Sequence, residues 1–245
     1  MIPIGDSLRS RVFPWVNYGL ILANFAVFFY ELQTPDLNSW IAQWGAVPCL
    51  ITGALGGGAA TCNVHGQLAQ SGTDQSEILH LLTSMFIHGG WLHILGNMIF
   101  LWVFGDNVED AMGHVGYLLF YLLCGVGAGL GQVFADPTAA VPAVGASGAI
   151  AGVLGAYLVL YPRASVRTVI PIIIIPWIVR IPAVVLMLFW FTTQLISSNL
   201  FSVSSAVGGS GGVAYMAHIV GFILGLALVF VFRGRQRSID VEHTW

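Results

Sequence analysis

Six stretches of the chain carry no aspartate, glutamate, lysine or arginine and are apolar along most of their length. About 20 apolar residues in a helix cross the hydrocarbon layer of a bilayer, so each stretch has roughly the length of one crossing. A serine- and glycine-rich interruption from Ser197 to Gly212 separates the last two stretches. The pattern predicts six transmembrane helices, at Val12–Tyr30, Leu81–Gly105, Ala111–Ala135, Val144–Tyr161, Ile181–Ile196 and Val213–Phe232.

Composition supports this interpretation. Charged residues make up 8% of the 245 residues and hydrophobic residues 57%, and the mean hydropathy is +0.84. Soluble domains carry roughly 25% charged residues, so a soluble fold is excluded. We therefore predict an all-α, polytopic membrane protein with a large first outer loop, Leu32–His80. Residues 1–245 would form one transmembrane domain, with short cytoplasmic tails at 1–11 and 233–245.

The arginines predict the orientation in the membrane. All eight basic residues are arginines, and they lie in the N-terminal segment, between the fourth and fifth stretches, and in the C-terminal segment. With six crossings these three segments share one side, which the positive-inside rule makes cytoplasmic. We place Arg180 at the inner edge of the fifth helix, after a connection that is interrupted by prolines. The expected location is a prokaryotic plasma membrane.

Other features exclude several classes of partner. The net charge of −3 is small, and the arginines form no basic stripe that would indicate nucleic acid. There is no glycine-rich phosphate loop of the strand–loop–helix kind, and we expect no cofactor. The two halves of the sequence show no internal repeat, which disfavours a secondary transporter.

The fourth and sixth stretches each carry one candidate catalytic residue. Ser147 lies in the motif Gly145-Ala146-Ser147-Gly148, and His218 is the single histidine of the sixth stretch. Glycines repeat at helical spacing beside each residue, and such faces allow two helices to approach closely. Close packing would bring the serine hydroxyl and the imidazole within hydrogen-bonding reach, as a nucleophile and a base require. Alternatively, both motifs serve packing alone.

The second stretch adds a polar set, His88, His93 and Asn97. His93 and Asn97 are four residues apart and share a helix face. An amide side chain is a suitable donor to a developing oxyanion, because it offers N–H groups without a charge. The histidines could instead suggest zinc. Their spacing does not match the His-Glu-x-x-His pattern and no acidic ligand lies on that helix, so we expect no metal.

These motifs, in this order on these stretches, resemble the rhomboid intramembrane serine proteases. The resemblance covers nearly the whole chain and rests on three segments, Gly145–Gly148, Ala217–Gly225 and His88–Asn97. It implies that Ser147 is the nucleophile and His218 the general base. It further implies that Asn97, His93 and the Ser147 backbone N–H form the oxyanion hole and that His88 supports the second helix. Substrates would be single-span membrane proteins, cut near the outer membrane boundary, with lipid as the surrounding medium.

The resemblance also assigns roles to larger segments. The segment Ser197–Gly212 would be a mobile cap over the site, and the fifth helix a lateral gate. Two positions depart from the family pattern: Leu79-His80 stands where many members have Trp-Arg, and Ala151 stands where some have a tyrosine that stacks on the histidine. His218 would then be held by packing alone. Cys49 and Cys62 both lie in the outer loop, where a disulfide is a hypothesis.

Two further functions stay open from the sequence. A non-catalytic relative could bind and escort transmembrane segments, although such proteins usually lack the serine or the histidine. A channel or transporter could use His88, His93 and His218 as a polar path, but no intramembrane carboxylate accompanies them. The sequence does not define the oligomeric state or the substrate.

Overall fold

The computed structural model describes residues 1–57, 60–64, 67–71, 75–172, 175–206 and 214–234. Helices dominate it, as predicted. Short 3₁₀ turns, Gln75–Leu79 and Ser84–Phe86, flank a one-turn helix before the second long helix. The α-helices are α1 Trp15–Glu31, α2 Leu37–Trp44, α3 Pro48–Thr52, α4 His80–Thr83, α5 Trp91–Met112, α6 His114–Ala135, α7 Ser147–Leu160, α8 Ala183–Ala206 and α9 Tyr215–Phe232.

The prediction of an all-α protein is wrong in one respect, because two small antiparallel sheets are present. The first sheet has the strand order β1-β4-β5, and the second pairs β2 with β3. β1 belongs to the segment predicted as an N-terminal tail, and β5 contains Arg180, predicted at a helix edge. The strands are β1 Ile2–Asp6, β2 Ala60–Val64, β3 Gln67–Ser71, β4 Ser165–Ile172 and β5 Ile175–Pro182.

The second predicted helix, Leu81–Gly105, is wrong at both ends. The chain bends by 81° between the segment Ser76–Phe86 and α5, which begins only at Trp91 and continues to Met112. The bend occurs at Gly89-Gly90, where Gly90 has a φ of 151° that residues with a side chain rarely adopt. The histidine motif therefore straddles a turn and a helix start.

The interruption predicted from Ser197 to Gly212 does not begin at Ser197. α8 continues through Ser197-Ser198-Asn199 to Ala206. Serine and asparagine lower helix propensity only slightly compared with glycine, so they do not end a helix by themselves. The remainder of the proposed cap, Val207 to Gly212, lies outside the described residues, as does most of the predicted tail at 233–245.

Among the described helices, two are long and apolar enough to cross a membrane, α6 and α9. The bent pair formed by Ser76–Phe86 and α5 is a third candidate, while α7 and the Ala183–Thr193 part of α8 are shorter apolar helices. These properties fit a membrane protein. The count of six crossings remains a prediction, as do the single-domain assignment and the position of the termini.

α7 lies at the centre of the helical core. Its residues from Gly148 to Tyr157 are all buried, and it packs against α5, α6 and α9. The contact with α9 is backbone to backbone. A Cβ on Gly221 would collide with the Gly148 carbonyl oxygen, and one on Gly225 with the Gly152 carbonyl oxygen. The predicted contact between the two glycine faces is confirmed.

The segment Leu32–His80, predicted as the outer loop, contains secondary structure of its own. It contains α2, α3 and the hairpin of β2 and β3, and a disulfide joins Cys49 to Cys62. Both cysteines are buried in a small apolar cluster with Val47, Leu50 and Val64. The hypothesis of a disulfide that closes this loop is confirmed.

Candidate active site

Ser147 is the first residue of α7 and follows a sharp turn. Gly145 has a φ of 117°, and its N–H donates to the Ser84 carbonyl at 2.8 Å. The first helical hydrogen bond of this segment runs from the Ile150 N–H to the Ala146 carbonyl. The preceding backbone N–H groups have no acceptor within the helix, as at every helix start, and they carry the positive end of the helix dipole. The half-buried hydroxyl thus lies in an electropositive setting.

His218 lies in the first turn of α9 and faces Ser147. Its Nε2 is 2.6 Å from the Ser147 Oγ, and the residue is buried. At this distance an unprotonated Nε2 accepts the hydroxyl hydrogen, which is the arrangement needed to remove a proton from a nucleophile. The two residues are 71 positions apart in the chain, and the glycine contact of α7 with α9 brings them together.

His93 and Asn97 approach the same place from α5. A Cβ built on Gly145 would lie 2.7 Å from the His93 Nε2 and 3.6 Å from the Asn97 Nδ2. The Gly89 N–H donates to the His93 Nδ1 at 3.3 Å, so that nitrogen is an acceptor and the Nε2 carries the hydrogen. The Asn97 Nδ2 is buried without a hydrogen-bond partner in the described part of the chain. Two N–H donors therefore converge beside the turn that leads into Ser147.

His88 lies in the turn before α5 and does not touch the serine–histidine pair. Its ring packs edge-on against the His93 ring, with centroids 5.0 Å apart. Its Nδ1 is 3.2 Å from the Phe86 carbonyl, and its backbone N–H donates to the carboxylate of Glu31. The predicted supporting position of His88 agrees with these contacts.

Trp190 is a neighbour of His218 that the sequence did not indicate. Its ring lies 5.7 Å from the His218 ring, and it also contacts Phe222. Ala151, where some family members have a stacking tyrosine, carries no aromatic ring. Trp190 of α8 provides an aromatic contact to His218 instead. A tryptophan in an apolar helix carries no motif that distinguishes it from a residue facing lipid.

A second residue that the sequence did not indicate is Gln132, near the end of α6. Its side-chain oxygen accepts the Ala217 N–H at 3.3 Å, and this bond satisfies a backbone group at the start of α9. The residue next to Ala217 is His218, so Gln132 helps to fix the turn that carries the imidazole. Gln132 is one of two glutamines in the predicted spans, the other being Gln194, and a polar side chain in a span is the signal that could have suggested such a role.

His80, at a position that departs from the family pattern, contacts a nearby carboxylate and an aromatic ring. The His80 Nδ1 is 3.0 Å from a carboxylate oxygen of Glu77, and the His80 ring packs edge-on against Trp44. Trp44 ends α2, so these contacts join α2 to the segment before α5. These contacts are what the structure shows at the position where the resemblance led us to expect Trp-Arg.

Fold and site together define a helical membrane protein in which a half-buried serine and a buried histidine share a hydrogen bond. The chain belongs to the rhomboid family, because the family model described as Rhomboid domain matches residues 75–235, well over half of the sequence. Members of this family are generally intramembrane serine proteases. Two relatives are named as rhomboid proteases, one of them putatively, and this supports the interpretation of this chain as a protease.

The relatives include proteins of a plant and of a bacterium. RHOMBOID-like protein 1 of Arabidopsis thaliana is 28% identical over 230 residues, which cover 90% of this chain and 54% of that protein. Rhomboid-like protein 11, chloroplastic, of the same plant is 28% identical over 61% of this chain and 51% of its own. Rhomboid protease GluP of Bacillus subtilis (strain 168) is 39% identical over 84 residues, 34% of this chain and 16% of that protein.

This chain spans about half the length of the first of these curated relatives. The names of several relatives place them in chloroplasts or mitochondria. The comparisons therefore do not support the prediction of a prokaryotic plasma membrane, and they fit a membrane protein without naming the membrane.

Proposed function

We propose that the protein is an intramembrane serine endopeptidase in which Ser147 is the nucleophile and His218 the general base. The observation that carries this proposal is the 2.6 Å distance between the Ser147 Oγ and the His218 Nε2. A hydroxyl is a weak nucleophile until a base removes its proton, and a positioned base is worth roughly 10²–10⁴ in rate.

The reaction follows from this pair. The Ser147 Oγ attacks the carbonyl carbon of the scissile peptide bond as His218 takes the hydroxyl proton. The carbon–nitrogen bond then breaks, and His218 gives that proton to the leaving amine. A water molecule, deprotonated by His218, attacks the acyl-enzyme, and the Ser147 oxygen leaves and recovers a proton.

The oxyanion formed in each attack would be bound by N–H donors from two elements. His93 Nε2–H, the Asn97 amide and the Ser147 backbone N–H are the proposed donors, and their convergence beside Gly145 supports this role. All three donors are uncharged groups.

The substrates would be single-span membrane proteins, cut near the outer membrane boundary. Ser147 begins α7 rather than lying in its middle, so water has a short path to it from the predicted outer face. α8, which contacts His218 through Trp190, would be the lateral gate through which a substrate helix enters.

The test uses the full chain in liposomes with a fluorogenic single-span substrate. Ser147→Ala and His218→Ala should each abolish cleavage, while the melting temperature in detergent stays within a few degrees of the wild type. Ser10→Ala and His114→Ala are matched controls remote from the pair and should keep full activity. Cleavage by the Ser147→Ala protein would refute the nucleophile. A folded wild-type protein that binds the substrate without cutting it would favour the escort function.

A further inference from the structure

A buried carboxylate lies next to the site and has no part in the reaction proposed above. Glu31 ends α1 and is 1% exposed. Its two oxygens are 3.2 and 3.3 Å from the backbone nitrogen of His88, which donates to them. A carboxylate is costly to bury, so a position that keeps one calls for a specific interaction.

The contact continues towards the proposed oxyanion donors. His88 is followed by Gly89, whose N–H donates to the His93 Nδ1. That bond leaves the hydrogen on the His93 Nε2, the atom nearest to Gly145. Three links therefore connect Glu31 to the His93 imidazole. They are the hydrogen bond from the His88 N–H, the peptide bond between His88 and Gly89, and the hydrogen bond from the Gly89 N–H to the His93 Nδ1.

The turn between these groups needs an external support. Gly89 and Gly90 have no side chains with which to cap α5, and Gly90 adopts a φ of 151°. Glycines leave a turn free to choose among conformations unless contacts fix it. The carboxylate also lies near the N-terminal end of α5, where the helix dipole favours a negative charge. The Phe28 ring packs edge-on against Trp91 with centroids 5.0 Å apart, so α1 contacts the start of α5 and the turn before it at two points.

We propose that Glu31 is a positioning residue that fixes the turn before α5 and thereby holds His93 in the tautomer and orientation of an oxyanion donor. This inference rests on the proposed function and names a residue of α1 that contributes to it. Glu31 touches neither the substrate nor the reacting atoms, and it acts through His88 and Gly89.

The chain offers a matched control at the opposite end of the same helix pair. Glu109 on α5 is also fully buried, and it accepts the N–H groups of Val16 and Asn17 at the start of α1. Glu109 thus joins α5 to α1, whereas Glu31 joins α1 to the turn before α5, beside the site. Glu109 also pairs with His114, so its loss reports the structural cost of removing a buried carboxylate together with all of its contacts.

The experiment compares Glu31→Ala, Glu31→Gln and Glu109→Ala with the wild type in liposomes, below the melting temperature of each. Oxyanion donors act on the transition state, so Glu31→Ala should lower kcat roughly 10- to 100-fold with KM unchanged. Glu31→Gln keeps an acceptor oxygen and should retain at least roughly a third of kcat. Glu109→Ala should melt earlier yet keep kcat.

A second readout does not depend on activity. The ¹⁵N shifts of the His93 ring should show a protonated Nε2 in the wild type and in Glu109→Ala, and an averaged pair of nitrogens in Glu31→Ala. Equal kcat losses in Glu31→Ala and Glu109→Ala, or an unchanged His93 tautomer in Glu31→Ala, would overturn the positioning role. An inactive wild type would instead refute the proposed function, and the ring shifts would still test the contact.

Discussion

At the scale of single residues, Asn97 is the clearest test of the proposed oxyanion site. Its amide nitrogen is buried, lacks a partner in the described part of the chain and lies beside Gly145. Loss of one oxyanion donor costs on the order of 10²–10³ in kcat. We expect this loss in Asn97→Ala, with KM unchanged and a residual rate above that of Ser147→Ala, because His93 and the backbone still donate. Steady-state kinetics in liposomes measure it, and an unchanged kcat would exclude Asn97 from the site.

The sequence predicted the residues that carry recognisable chemistry and missed those that only support them. Ser147 and His218 stand in glycine-rich helices, and the spacing of the glycines predicts that the helices touch. Glu31 and Trp190 lie in helices with no motif around them. Their roles depend on which neighbours the fold supplies, and that information is not local.

At the scale of elements, the backbones of α7 and α9 are in direct contact. A Cβ on Gly221 would overlap the Gly148 carbonyl oxygen, which cannot rotate away. Gly221→Ala should therefore separate the helices, destabilise the protein by about 1–3 kcal/mol and reduce cleavage, since His218 moves with α9.

Gly19→Ala is the control for this prediction. Gly19 lies in α1, and a Cβ there meets no atom within 4 Å. Alanine favours a helix over glycine by about 1 kcal/mol, so this variant should be at least as stable as the wild type. Thermal melting in detergent measures both variants. Equal melting temperatures for Gly221→Ala and the wild type would contradict the close contact.

Helix positions were easier to predict than the elements between them. The apolar run from Ser165 to Pro182 is rich in isoleucine and valine and contains three prolines. Such a run fits a strand as well as a helix by hydrophobicity alone, and its partner strand β1 lies more than 150 residues earlier. The pairing of β4 with both β1 and β5 is a tertiary event, which no local pattern contains.

At the scale of the whole molecule, Asp6 joins the N-terminal strand to the helical core. Its Oδ2 accepts the Tyr157 hydroxyl and the Asn107 amide, and its Oδ1 accepts the Leu8 N–H. Burial raises the pKa of Asp6 to about 6, although the hydrogen bonds from Tyr157 and Leu8 and the nearby Arg167 act in the opposite direction. The folded protein therefore holds the proton more tightly than the unfolded chain, whose aspartates titrate near 4.

The stability that this proton provides is present below pH 4 and is lost as the pH rises through about 6. Asp6→Asn removes the titration and keeps an acceptor for Tyr157. We expect the variant to melt above the wild type at pH 7.5 and to converge with it near pH 4.5. Parallel melting curves for Asp6→Asn and the wild type from pH 4.5 to 8 would contradict this account.

The central claim is tested most directly by mapping a covalent adduct. A fluorophosphonate probe reacts with a serine whose hydroxyl is activated by a base, and mass spectrometry of peptides locates the product. We predict one adduct per chain, on Ser147, in the folded wild type and none in folded His218→Ala. An adduct on a different residue, or equal labelling of Ser147 in the absence of His218, would contradict the proposed pair.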